Sequence, residues 1–318
     1  MIGRMSSDQI HQSGLDVILD AQKKLSRTQE ELASGKRLLT PADDPVATAQ
    51  IQSIRSELSR IETMQSNISR ASSELAMVED SVANVEGLLM RARELAVRGA
   101  NDSLSLQDRE IIATEIDALR EQLIAAANTQ SSDGDYIYAG HAVSAAPYTD
   151  TLFNATYEGD TGVRAMNIAP GLTVNTRFAG EAVFGQGSAA TGQLNAFEAL
   201  AVLSAGLRGN ASAAITSLTN NGNAVTQDEA INISMQALDT NLETVRSVRT
   251  QLGVRMNRVD DQQALNANFN VRLQETLSGL EDLDYTKAIT EMNLQMVALE
   301  AAQMAYTKTQ SLSLFNYM

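Results

Sequence analysis

Apolar residues recur every three or four positions from Ile51 to Leu89, at Ile51, Ile54, Leu58, Ile61, Ile68, Leu75, Val82 and Leu89. This spacing predicts one face of a long helix. One position of the heptad stays aliphatic, while its partner turns polar at Gln65, Ser72, Glu79 and Glu86. A second stripe, Met64, Ala71, Val78 and Val85, begins where the first partner is lost. A helix that shifts its stripe along its length faces more than one neighbour, which predicts a bundle rather than a two-stranded zipper.

The far end carries the same rhythm. Ile231, Met235, Leu238, Leu242, Val245, Leu252, Met256 and Val259 form a stripe that resumes at Leu273, Leu277 and Leu280, across a polar middle at Gln263, Asn266 and Asn270. Thr226 with Glu229 three residues later predicts a capping box at its start. A third helix is predicted over Leu106–Ala127, with Ile112, Ile116, Leu119 and Leu123 on one face and the turn "GANDSLS" before it.

Both extremities are amphipathic as well. Leu15, Ile18, Leu25 and Leu32 form a stripe near the start, and Ile289, Met292, Met296 and Leu299 form one near the finish. Short helices of this kind are marginal alone in water, so they need partners. These eight residues are the expected subunit contacts, with packing inside one chain as the competing role. A charge at Leu299 is expected to stop assembly while leaving a folded subunit.

The middle differs in composition. Between Gly134 and Gly222 lie twelve of the nineteen glycines, eight of the thirteen aromatics and two of the four prolines. The period becomes two at Leu172, Val174, Thr176 and Phe178, after a "PG" turn at Pro170 and Gly171. "EGDTG", Glu158–Gly162, reads as a hairpin loop between "ATY" and "VRAMNI", and a short helix is expected around Phe197–Leu207. The fold class is therefore mainly α with an inserted β-rich domain, an elongated antiparallel helical bundle built from both chain ends. The expected division is residues 1–40 with 281–318 as paired terminal helices, 41–133 with 225–280 as a long-helix rod, and 134–224 as the insert.

Composition narrows the function. The net charge is -15, with basic residues scattered rather than clustered, so a nucleic-acid partner is not expected. Cysteine is absent, which removes disulfides, thiolate nucleophiles and thiolate metal sites. No stretch approaches the roughly 20 apolar residues that span a bilayer, and the start "MIGRMSSDQIHQSGLD" lacks the apolar core of a secretory signal. His11 and His141 are the sole histidines. The acid pairs Asp43/Asp44, Asp260/Asp261 and Glu281/Asp282 consist of neighbours whose side chains diverge, which does not suit acid–base chemistry across a pocket. "DGD" at Asp133–Asp135 lacks the other positions of a calcium loop, and "GQG" at Gly185–Gly187 is too short to cradle a phosphate. No catalytic residue, metal or cofactor is expected.

The segment "LASGKRLLTPADDP", Leu32–Pro45, holds the other two prolines, Pro41 and Pro45. Gly35 is placed to end a helix in the left-handed conformation, with Lys36 and Arg37 favouring the carbonyl end. Thr40 or Asp44 is placed to cap the next helix, each being followed by a proline, with Asp43 and Asp44 adding negative charge at its N-terminus. Gly35, Arg37, Pro41, Asp43, Asp44 and Pro45 thus mark a specified connector.

This connector resembles that of bacterial flagellins and their relatives. "RARELAVRGAND", Arg91–Asp102, is similar to the end of the long inner helix in that family, and "VRTQLGVRMNRVD", Val248–Asp260, to its C-terminal counterpart. Within the family, "GDYIYAGH" followed by "APY" and the finish "SLSLFNYM" resemble a hook–filament junction subunit more than a filament flagellin. The resemblance implies an extracellular flagellar component, exported unfolded without a cleaved signal peptide. It implies as partners other copies of itself, an adjacent hook-associated junction protein, flagellin and a cytoplasmic export chaperone. A short flagellin forming the filament, and a soluble coiled-coil adaptor without enzymatic activity, are the alternatives.

Overall fold

A computed structural model describes residues 7–150, 155–187, 193–210 and 226–315. The last three residues of the "SLSLFNYM" finish and the side chain of His11 lie outside this description. Seven helices and four short strands follow in order: α1 (Ser7–Ser34), α2 (Pro45–Gly99), α3 (Leu106–Ala127), β1 (Tyr148–Asp150), β2 (Ala155–Tyr157), β3 (Ala165–Ala169), β4 (Leu172–Asn175), α4 (Gly180–Phe184), α5 (Ala196–Leu207), α6 (Gln227–Glu281) and α7 (Tyr285–Phe315). These are the elements of the described residues. The fold is mainly helical, helices from the two ends of the chain pack together, and the inserted sheets are small. The chain forms two compact units, residues 1–61 with 267–318 and residues 62–266.

Residues 62–266 carry a continuous apolar core. Ile68, Leu75, Val82 and Leu89 of α2 are buried with Leu238, Leu242, Val245 and Leu252 of α6, so both heptad stripes point inward as their spacing requires. Ala71, Val78 and Val85 are buried too; each lies three residues after a member of the first stripe, so the two stripes form one face of α2 in this unit. Ion pairs fix the antiparallel register of α2 and α6. Glu86 receives Arg246 at 2.9 Å and Arg249 at 3.0 Å, Arg249 also reaches Glu79 at 2.8 Å, and Arg93 meets Asp239. Arg246 foremost, against a smaller burial penalty, holds the Glu86 carboxyl below the usual range.

α3 packs against α5. Ser105 caps α3 by accepting from the Asp108 amide at 3.1 Å. α5 lies where the short helix is expected, and every residue from Ala196 to Leu207 is buried. Asn195 and Glu198 form a capping box at its start, and burial pushes the Glu198 carboxyl up. Thr226 and Glu229 form the reciprocal contacts expected at the head of α6.

Among the described residues, the strands of the insert form two separate antiparallel pairs. β1 pairs with β2, and β3 pairs with β4 through the Pro170–Gly171 turn, with Gly171 at φ 74°. Glu158–Gly162 is therefore not a hairpin loop between paired strands. β2 already has its partner in β1, and the Glu158 amide donates to the Pro147 carbonyl at 2.8 Å. Asp160 in that segment accepts from the His141 and Gly162 amides instead, bonds that lower its pKa. β4 ends at Asn175, yet Val174, Thr176 and Phe178 are all buried. Burial alternates within β4 and is continuous from Thr176 to Gly180, so the period-two signal ends with the strand.

Aromatic and charged groups seat the insert. Tyr148 lies 4.8 Å from Phe197 and 5.2 Å from Tyr157 between ring centroids, and the Tyr138 hydroxyl donates to Ser81 of α2 at 2.9 Å. Arg177 is 2% exposed and paired with Asp135 at 3.1 Å. Asp135, one of the "DGD" acids, thus serves a buried arginine. Arg255 of α6 lies 4.0 Å over the Phe178 ring.

Candidate assembly surface

The unit made of residues 1–61 and 267–318 pairs α1 with α7 in antiparallel fashion. Gly35 at the end of α1 meets Tyr285 at the start of α7, Thr28 meets Gln295, and Gly14 meets Tyr306. Along α1 the more sheltered positions are Gly14, Ile18, Ala21, Leu25, Thr28 and Leu32; along α7 they are Ala288, Met292, Gln295, Leu299, Ala302 and Tyr306. Both series step by alternating threes and fours, the seam of a two-helix coiled coil. A Cβ on Gly14 would come within 2.8 Å of the Tyr306 ring, so the smallest residue of the seam faces its largest.

The eight expected contact residues divide between two environments. Ile18, Leu25, Leu32, Met292 and Leu299 are half-buried along this seam, within one chain. Leu15, Ile289 and Met296 stay exposed, at 46%, 47% and 42%. The sequence stripes missed a further apolar set: Val17 and Leu19 on α1, and Leu294, Val297 and Met304 on α7. Leu294, Val297 and Met304 are 67%, 63% and 65% exposed. On a helical projection they stand on the side of α7 opposite the seam. Between Ala288 and Thr307 the sole charged residues are Glu291 and Glu300. Thr290, Asn293 and Glu300 share that outer side, so α7 mixes apolar and polar residues all round with little contrast between its faces, and α1 covers one side.

The connector after α1 is held by the link after α6. The Arg37 amide donates to the Glu281 carbonyl at 2.8 Å and the Leu283 amide to the Gly35 carbonyl at 3.0 Å, so Lys36 and Asp282 face each other in an antiparallel bridge. Gly35 adopts φ 68°, as a helix-ending glycine does. The basic pair acts elsewhere than expected. The Arg37 guanidinium donates to the Leu280 carbonyl at 2.9 Å and Lys36 pairs with Glu281, so both serve the last turn of α6 rather than that of α1. The bridge turns both side chains toward the neighbouring helix end.

Glu281, 7% exposed, also receives Arg55 of α2 at 2.8 Å. Lys36 foremost holds this carboxyl below its usual range, with Arg55 adding to the effect against burial. Asp44, not Thr40, caps α2, accepting from the Val46 and Ala47 amides at 3.1 and 2.9 Å. Asp43 accepts from the Thr40 and Leu39 amides and pairs with Arg27 at 2.8 Å; the Thr40 bond comes first in lowering its pKa, then the Arg27 charge and the Leu39 bond. Pro41 lies in the turn between them, and Pro45 opens α2 where its missing N–H costs nothing.

Among the described residues no cluster of acidic or histidine side chains is arranged to hold a metal, and no helix is long and apolar enough to cross a membrane. His141 is engaged through its backbone with Asp160, in the insert. What this surface offers is contact area for helices.

Two family models match the chain: the bacterial flagellin N-terminal helical region over residues 6–142 and the C-terminal helical region over residues 235–318. The chain belongs to the flagellin family; it is an extracellular structural component of the bacterial flagellum and not an enzyme. Its sequence is similar to the flagellar hook-associated protein 3 of Escherichia coli (strain K12), 26% identical over 322 residues and 98% of each chain. It is also 24% identical to a flagellin of Listeria innocua, over 84% of this chain and 82% of that one. In fold it matches the crystal structure of flagellar hook associated protein-3 from Legionella pneumophila, with TM-score 0.62, 19% identity, and coverage of 72% of this chain and 98% of that one.

Proposed function

We propose that this chain is the subunit of the hook–filament junction, a thin layer that joins an adjacent hook-associated protein to the first flagellin of the filament. The observation that carries this reading is the end-to-end likeness to hook-associated protein 3, which spans 98% of both chains and therefore includes the insert. Residues 1–40 with 281–318 form the assembly region in this reading, residues 41–133 with 225–280 the paired long helices, and residues 134–224 an insert. Neighbouring copies cover Leu294, Val297 and Met304 on the outer side of α7, together with Leu15, Ile289 and Met296. Ile18, Leu25, Leu32, Met292 and Leu299 act first by holding α1 to α7. Its partners are further copies of itself, the other junction protein, flagellin and an export chaperone.

A second reading, a short flagellin that forms the filament itself, draws on the match to the Listeria flagellin. A deletion strain separates the two. Loss of a junction subunit leaves hooks in place and spills flagellin into the medium. Loss of the filament subunit leaves no flagellin to spill, and that outcome overturns the junction reading.

A further inference from the structure

In residues 62–266 the buried heptad columns of α2 and α6 do not by themselves say how the two helices are aligned. On α2, Ile68, Leu75, Val82 and Leu89 stand seven residues apart, and on α6 so do Leu238, Val245, Leu252 and Val259. A slide of seven residues along α6 puts one aliphatic side chain of its column where another was. No short loop prevents that slide, since Glu86 and its partner Arg246 lie 160 residues apart in the chain. An alignment that the core repeats has to be chosen by other groups.

The ion pairs along this seam have the arrangement that makes the choice. Glu86 faces Arg246 and Arg249, and Arg249 also reaches Glu79. One heptad later on α2 and one heptad earlier on α6 the signs reverse, and Arg93 faces Asp239. Moving each α6 residue into the place of the one seven before it sets Arg246 against Arg93 and leaves Glu86 with Gly253. Moving each into the place of the one seven after it sets Asp239 against Glu86. Both neighbouring alignments therefore meet a like-charge pair that the native one lacks. Glu86 is 9% exposed, so the second encounter is poorly screened. As sources of stability the pairs are weak, because Arg93, Arg246 and Arg249 keep 47%, 57% and 45% of their side-chain surface in water.

We propose that the sign reversal between Glu86–Arg246 and Arg93–Asp239 is a register code, which aligns α2 with α6 as the chain folds by rejecting both one-heptad slides. Packing supplies a later check. A slide carries Arg249 to the place of buried Leu242, or Asn241 to that of buried Val248, and it takes Arg255 from the Phe178 ring and Asn241 from the Leu194 carbonyl. Those contacts act only once the helices and the insert have closed together, whereas charges are felt across about 10 Å at 0.1 M salt. The code is thus read while the helices are still approaching. It does not depend on the junction role, since a filament subunit would need the same alignment.

The test removes the reversal without losing a native pair. Arg93→Glu with Asp239→Arg keeps opposite charges facing each other at both levels, but makes the α2 column acidic and the α6 column basic throughout, so that each slide now gains an attractive pair. Spin labels are carried at Ala76→Cys on α2 and Thr240→Cys on α6, both exposed sites, in a chain with no other cysteine. A slide of seven residues moves one label about 10 Å along the helix axis. Refolding of the full chain from urea is freeze-quenched at successive times, and the label separation is read by double electron–electron resonance. The parent chain is expected to show one separation as the helices pair. The exchanged variant is expected to pass through a second population, displaced by about 10 Å and at least tenfold larger than any in the parent. Refolding through the parent's single separation overturns the proposal, and so does broadening without a displaced peak.

Should the exchanged variant fail to refold, the labelled parent chain carries the test alone. Raising sodium chloride from about 0.1 M to about 1 M shortens the reach of charge from about 10 Å to about 3 Å. The same displaced population is then expected to appear during refolding of the parent, and its absence at the higher salt overturns the code.

Discussion

Thr28 donates its hydroxyl to the side-chain oxygen of Gln295 at 3.0 Å, in the middle of the seam between α1 and α7. Thr28 is 6% exposed, so the pair is a polar contact set inside a helix seam. A heptad seam of small and aliphatic residues satisfies itself again after a slip of seven positions, and one polar pair removes that degeneracy. Truncating one partner leaves the other unsatisfied, which costs about 1–3 kcal/mol, whereas replacing both by apolar groups of similar shape is nearly neutral. Thr28→Val alone should therefore lower stability in urea titration more than Thr28→Val with Gln295→Leu. The double variant should give mixed α1–α7 registers in cysteine cross-linking.

The fit of Gly14 against Tyr306 makes a complementary prediction. Gly14→Val drives a side chain into the ring and should loosen the far end of the α1–α7 pair, seen as faster exchange near Gly14. Tyr306→Ala added to it should restore much of that protection. Failure of the second substitution to help would remove the ring from the account.

In residues 62–266 the burden of stability lies on packing. Leu75 is fully buried in α2, and Leu75→Ala should cost about 2–5 kcal/mol through lost burial and the cavity left behind. Calorimetry of the full chain should show this as a lowered main transition. Leu106, 81% exposed at the start of α3, should tolerate Ala with little change in Tm.

Glu86 supplies a pH dependence separate from the connectors. Its native pKa is lowered, by Arg246 first, so its contribution exists above the ordinary value of 4.5 and is lost as pH falls through the native value. Glu86→Gln should be less stable than the parent chain at pH 7, and the gap should close as pH falls from the ordinary value through the lowered native one. A gap independent of pH would assign the loss to packing.

The long helices were legible because their burial is periodic. Ile61, Ile68, Leu75, Val82 and Leu89, with Leu238, Leu242, Val245 and Leu252, are buried as their spacing predicts. The connector was legible as a stop and a start, since Gly35 and Asp44 act within their own stretch of chain. What Lys36 and Arg37 do was not legible, because their partners Glu281 and Leu280 lie more than two hundred residues away. The insert misled for a related reason: strand pairing is non-local, and the turn-like composition of Glu158–Gly162 does not say which strands flank it. On α7 the stripe caught Met292 and Leu299 of the seam and not the outer residues, because apolar and polar positions are mixed on every side and the faces carry little contrast.

The central claim is that Leu294, Val297 and Met304, exposed on the outer side of α7, are covered by neighbouring subunits. The most direct measurement compares Leu294→Asp with Leu299→Asp, scoring incorporation into flagella beside hydrogen exchange of α1 in the purified subunit. Leu294→Asp is predicted to be exported and to keep α1 as protected as in the parent chain, yet to fail to incorporate. Leu299→Asp, expected from the sequence to leave a folded subunit, is predicted instead to lose both, since Leu299 lies on the intrachain seam. Normal incorporation of Leu294→Asp would contradict the account.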